Sequence, residues 1–119
     1  MDAPTKRITI EPNPNRVRVT LGGVVIADSP GAVTLREGSY PPVQYIPRAD
    51  ADMALLTRTV HSTHCPLKGD ATYFSIAAGG RTAENAVWSY ETPFDGVAEI
   101  AGMLAFYPTR VDAIEERTD

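Results

Sequence analysis

The chain has 119 residues, 43% apolar and 22% charged, with a formal charge of −4. That length points to a single domain, residues 1–119, able to bury about two thirds of its unfolded surface without staples. The acidic balance argues against a nucleic-acid binder, which needs a basic face to neutralise phosphates. No stretch approaches the roughly 18 apolar residues of a membrane span, so no membrane role is expected.

Met1 to Arg7 leads into no apolar run of the kind a signal peptide carries, so a cytoplasmic location is expected. The single cysteine, Cys65, cannot form an internal disulfide, which agrees with a reducing compartment.

In chain order, Arg7 to Ile10 alternates polar and apolar, and Pro12 and Pro14 interrupt any ladder that follows. This reads as an edge strand and then a turn. Arg16 to Leu21 is the clearest period-two pattern, with Val17, Val19 and Leu21 on one face. Gly22-Gly23 separates it from Val24 to Ala27 by the two residues of a primed hairpin turn. Asp28 to Gly31 is a turn by composition, and Ala32 to Glu37 a third strand. Val43 to Ile46 is short and β-rich, and Pro47 stops it. The stretch from Arg48 or Asp50 through Leu56 reads as a short helix, since an aspartate favours a helix N-terminus.

Thr57 to Ser62 is β-like, and Cys65 to Asp70 must turn, because Pro66 fixes its own φ and pushes Cys65 out of the helical region. Ala71 to Ala77 is a strand with Gly79-Gly80 as its turn, and Ala86 to Tyr90 is an extended aromatic segment. Val97 to Ala101 reads as one helical turn. Gly102 to Tyr107 is a buried strand with Val111 to Ile114 as its partner, and Glu115 to Asp119 a frayed charged tail. Eight or nine short strands and one short helix make a mainly β protein, a small antiparallel barrel or sandwich.

A series of short blocks stands in a definite order along the chain, beginning with Val25-Ile26-Ala27-Asp28-Ser29, Leu35-Arg36-Glu37 and Tyr45-Ile46-Pro47-Arg48-Ala49-Asp50. It continues with Thr63-His64-Cys65-Pro66-Leu67-Lys68-Gly69, Tyr73, Ala86 to Pro93, and Gly102 to Tyr107. In that order of landmarks the chain resembles the bacterial and fungal family known as domain of unknown function 427, which carries a nominal nucleotidyltransferase label. The resemblance implies a compact fold similar to the β-tent group, in several members of which two cysteine pairs hold a zinc. With Cys65 alone this chain cannot build that four-cysteine site, so its strands must be held by core packing.

Chemistry concentrates between His61 and Gly69, which holds both histidines, the cysteine and a turn lysine. As a metal site the segment is poor: His64 and Cys65 are adjacent, and on a strand they point to opposite faces. No metal and no other cofactor is expected. Cys65 has two readings. It is a nucleophile with Lys68 lowering the thiol pKa and His64 or His61 as base, or it is a small buried hydrophobe. Lys68-Gly69 permits close approach of an anion, although no phosphate-loop pattern is present.

Glu37 at a strand end suits a general acid or base, and Arg36, Arg48 and Asp50 can hydrogen-bond a ligand. Arg36 and Glu37, being adjacent on a strand, face opposite ways. Tyr45, Tyr73, Trp88 and Tyr90 form the aromatic set. Trp88 and Tyr90 share a face if extended, and serve either as a wall for a planar ligand or as plain core.

These readings converge on a small-molecule-binding β domain, with or without catalysis, whose ligand is unknown. Its pocket lies at the Thr63 to Gly69 turn. Glu37, Lys68 and Cys65 are the candidate catalytic residues, and Arg36, Tyr45, Asp50, Thr63, His64, Tyr73, Trp88 and Tyr90 the candidate ligand contacts. A non-catalytic peptide-binding module using the same aromatic cleft is the alternative. A nucleotidyltransferase is the third reading, for which Asp50 and Asp52 would have to hold Mg²⁺.

Overall fold

The period-two pattern of Arg16 to Leu21 forms the middle of a sheet, with Val17, Val19 and Leu21 almost wholly buried. The computed structural model describes residues 8–118, so Met1 to Arg7 and Asp119 lie outside the described residues. Its strands in chain order are β1 (Ile8–Pro12), β2 (Arg16–Leu21), β3 (Val24–Ser29), β4 (Val33–Glu37) and β5 (Val43–Tyr45). There follow β6 (Leu56–Cys65), β7 (Gly69–Ala78), β8 (Arg81–Ser89), β9 (Ala105–Phe106) and β10 (Ala113–Arg117). They make three antiparallel sheets, in the orders β1-β4-β5, β10-β2-β3 and β6-β7-β8-β9. The mainly β, antiparallel architecture is the one expected.

Two hairpins turn on paired glycines, as their spacing requires: Gly22 and Gly23 have φ of +62° and +78°, Gly79 and Gly80 +58° and +76°. Positive φ at both central positions is the signature of the type I′ turn, which matches the twist of the flanking strands. β3 runs two residues past Ala27 instead of turning at Asp28. The reason is lateral: Asp28 accepts from Arg16 Nε at 2.7 Å and from Arg18 across β2, and Ser29 is buried.

Other boundaries also differ from expectation. The segment after Pro47 makes no α-helix. It forms two single 3-10 turns, Arg48–Asp50 and Met53–Leu55, the second capped by Asp52 accepting from the Ala54 N–H at 3.2 Å. Between them Ala51 bridges Ala27 and Asp52 N–H donates to Ile26 O, so the chain is pulled extended by β3 before a helix can propagate. Only Ala105 and Phe106 of the Gly102 to Tyr107 block are strand. β10 pairs with β2 and not with β9, and it takes in Glu115, Glu116 and Arg117 of the supposed frayed tail. That register sets Ile114 beside Val19 and Glu115 beside Arg18, which offers both an apolar and a charge match.

Two apolar clusters result. The larger lies between the β2 and β7 sheets and includes Val17, Ile26, Ile76, Val87 and Leu104. The smaller, with Leu35, Tyr45, Tyr73, Tyr90 and Ile100, sits under the end of β4 and backs the site described next. Paired hydrogen bonds between Ile46 and Leu104, each 2.8 Å, tie β5 to the segment before β9. Among the described residues, no helix is long and apolar enough to cross a membrane.

Candidate functional site

β4 ends in Leu35-Arg36-Glu37, and its pairing with β5 sets Leu35 opposite Val43 and Val33 opposite Tyr45. Alternation therefore sorts the sheet: Leu35, Glu37, Val43 and Tyr45 face one way, and Thr34, Arg36 and Gln44 the other. Glu37 projects toward the turn between β6 and β7. There the N–H of Lys68 donates to Cys65 O at 3.2 Å, Phe94 N–H donates to Lys68 O at 3.0 Å, and Gly69 takes φ +113°. The turn thus fixes Lys68 from both sides, and its Nζ donates to Glu37 Oε1 at 2.7 Å. Both side chains are largely buried, at 10% and 18% exposure.

Around this pair stands a box of aromatic rings. Lys68 Nζ lies 5.9 Å from the centre of the Tyr90 ring. Trp88 Nε1 donates to Tyr45 OH at 3.2 Å, with the two rings edge to face. Tyr107 packs 4.5 Å from Trp88, and its hydroxyl is 3.3 Å from that of Tyr73. Together with Tyr40 and Pro41 these residues line a cavity of about 260 Å³. Burial raises the Tyr45 phenol well above its usual range, with the Trp88 hydrogen bond opposing in part, and burial does the same to Tyr90. Tyr107 is pushed up to about 12 by burial first and then by Tyr73. Tyr45, Tyr90 and Tyr107 therefore stay protonated in the neutral range.

Glu37, Lys68, Tyr45, Tyr73, Trp88 and Tyr90 are brought together at this cavity. The others are not. Thr63 touches it only from behind, its hydroxyl 3.0 Å from Tyr73 OH. His64 is exposed and bonds Asp70 at 2.7 Å through Nδ1, while His61 packs its ring 4.4 Å from that of Tyr73. Cys65 is half-buried against the smaller apolar cluster. Neither histidine bonds it among the described residues, and Lys68 is engaged by Glu37. Among the described residues no three of His, Cys, Asp and Glu gather as a metal cage.

Arg36 lies on the opposite face of β4, 3.9 Å from Glu11, and borders a second cavity there. Asp50 accepts the Ser29 hydroxyl at 2.6 Å, which holds the start of the 3-10 segment to the end of β3. Arg48, the other arginine singled out, donates to Gly102 O, Ser89 Oγ and Glu91. Arg58 also pairs with Glu91, and both guanidiniums sit 5.4 Å from the Phe74 ring. This network clamps the 3-10 segment to the end of β8.

Tyr107, Tyr40 and Val43 complete the aromatic cavity without having been singled out in the sequence. Tyr107 closes the Gly102 to Tyr107 block, and its aromatic type was the available signal. Among curated proteins none matches the sequence. The matched model spans residues 9–117, nearly every residue that builds the fold and the cavity, and the chain belongs to the family described as Domain of unknown function (DUF427).

Proposed function

We propose that this protein is a small-molecule-binding domain whose ligand seats in the aromatic cavity with its polar end on Lys68 and Glu37. The observation that carries the reading is the buried ion pair at the cavity wall, 2.7 Å between Nζ and Oε1. A buried pair is a weak device for stability, because desolvation offsets most of the Coulomb attraction. Its value lies in what it presents. The ammonium has three donors and one goes to Glu37, while Glu37 Oε2 takes no side-chain donor among the described residues. A donor and an acceptor thus stand side by side.

The pair is neutral as a unit, and the rest of the wall is phenol, indole and aliphatic. A neutral planar ligand bearing a carbonyl next to an N–H suits such a wall better than an anion does. At about 260 Å³ the cavity sits just below the usual range for drug-sized ligands, so the occupant is small. Benzamide has this chemistry. Titrating it against the fluorescence of Trp88, the chain's only tryptophan, is expected to give saturable quenching that Glu37→Gln and Tyr73→Ala each weaken at least tenfold. Benzoate binding more tightly than benzamide, or neither binding, would overturn the reading.

Asp50 and Asp52, which a nucleotidyltransferase would need for Mg²⁺, are spent on Ser29 and on the Ala54 N–H. That engagement favours the small-molecule reading over the nucleotidyl-transfer one.

A further inference from the structure

The opposite face of the β1-β4-β5 sheet borders a cavity of about 770 Å³, and Tyr40, Pro41, Val43 and Trp88 line both it and the aromatic cavity. We propose that this larger cavity is a second binding compartment, for a neutral, mostly apolar molecule with a hydrogen-bond acceptor that Gln44 holds. Its occupancy requires no ligand in the aromatic cavity, although the two have wall residues in common.

The orientation of Gln44 carries the argument. Its Oε1 accepts from Asn13 Nδ2 at 2.9 Å and from Thr34 Oγ1 at 2.9 Å. Two donors on one oxygen fix which end of the amide is which. Nε2, with two N–H groups, is left with no side-chain acceptor among the described residues, on a residue that lines the cavity. Asn13 is itself buried and saturated: its other N–H goes to Glu116 and its Oδ1 accepts the Asn15 N–H at 2.8 Å. The network therefore cannot rotate to quench the free donors without breaking two bonds.

The walls say what kind of molecule fits. Five of the chain's ten prolines line the cavity. Proline has no N–H to offer and a fixed φ, so those walls are stiff and preformed, and binding there loses little entropy. Trp88 and Ile114 give apolar surface, with the buried Ile46 and Phe106 behind them. The charged groups at the rim are Glu11, Glu116 and Arg36, an excess of one negative charge that disfavours an anionic ligand. The volume lies inside the range of sites that take molecules of about two dozen non-hydrogen atoms.

Nile red, a neutral planar dye with an aryl carbonyl and that many heavy atoms, is the probe. Its emission on titration with the whole chain is expected to saturate at one dye per chain, with quenching of Trp88 in parallel. Gln44→Leu, which keeps the length of the side chain but removes the free donors together with the oxygen that Asn13 and Thr34 donate to, is expected to weaken binding at least about five- to tenfold, the worth of one neutral hydrogen bond. Ile114→Trp, which fills the cavity, is expected to abolish it. Near-ultraviolet circular dichroism checks that each variant is folded, and Gln44→Leu decides the matter if Ile114→Trp is not. Absence of saturable binding, or equal binding in wild type and Gln44→Leu, overturns the proposal. So does binding that survives both variants and is lost in Lys68→Met, which would put the dye in the aromatic cavity.

Discussion

Lys68 Nζ and Glu37 Oε1 lie 2.7 Å apart although 31 residues separate them in the chain, and neither side chain is more than 18% exposed. Removing one partner leaves the other charge buried and alone, which costs about 3–5 kcal/mol in comparable pairs, whereas replacing both is often near neutral. Lys68→Met is therefore expected to lower the urea midpoint sharply, and Lys68→Met with Glu37→Leu to recover most of the loss. If the double variant is as unstable as the single one, the pair is structural and its place at the cavity wall loses its functional meaning.

The buried phenols make the fold sensitive to alkali. Burial raises Tyr45, Tyr90 and Tyr107 above the ordinary tyrosine value of 10.0, and Tyr107 reaches about 12. A raised folded pKa means the native state holds its phenol proton longer than the unfolded chain does. The stabilisation from these groups is then complete below pH 10 and is lost as pH rises from 10 through 12 and beyond. Absorbance at 295 nm should show these three still protonated at pH 11 in the native protein, released together when the fold gives way. Smooth ionisation of all the tyrosines with Trp88 fluorescence unchanged would contradict it.

Glu91 works in the opposite sense. Hydrogen bonding from Arg58 comes first among the causes that hold its carboxyl below the usual 4.5, with Thr72 and Arg48 adding to it against partial burial. Its contribution is present above about pH 4.5 and is lost as pH falls through the depressed value. The two arginines are not equal, however. Arg58 is 54% exposed and pairs with Glu91 over the edge of the Phe74 ring in solvent, so Arg58→Ala is expected to be the milder of the two changes. Arg48 also satisfies Gly102 O and Ser89 Oγ in a half-buried setting, so Arg48→Ala is expected to cost about 2–3 kcal/mol. Equal effects in urea titrations would refute this division.

How much of this was legible in the sequence follows from the range of the interactions involved. Alternation is local, so it placed Val17, Val19 and Leu21 inside, set Trp88 and Tyr90 on one wall, and put Arg36 and Glu37 on opposite faces. Pro66 and Gly69 marked the turn that presents Lys68. What escaped depends on partners distant in the chain. β10 joins β2 rather than β9 because Ile114 and Glu115 find Val19 and Arg18 there, a choice between two apolar edges that no local pattern makes. Gln44 read as an ordinary strand residue, since only the fold brings Asn13 and Thr34 to the same oxygen. The His61 to Cys65 cluster drew notice by residue type, but a bulge between Arg58 and Ser62 and the Asp70 bond direct its members apart.

The two glycine hairpins also meet each other, which no sequence pattern announces. A Cβ on Gly79 would stand 2.0 Å from Gly22 O, and one on Gly22 would stand 2.6 Å from Ala78 O, both backbone atoms. The β2-β3 turn is thus seated against the β7-β8 turn with no room for a methyl group, and this contact helps set the two sheets over the larger core. Gly80, with φ of +76°, has open space where its Cβ would be. Gly80→Ala should therefore cost only the strain of positive φ, about 1 kcal/mol. Gly79→Ala carries the same strain and must also push two backbones apart, so it is expected to lose at least about 3 kcal/mol, an effect of the size overpacking can reach. Thermal unfolding of the two variants side by side makes the comparison. Equal melting temperatures would mean that the hairpins do not touch in solution.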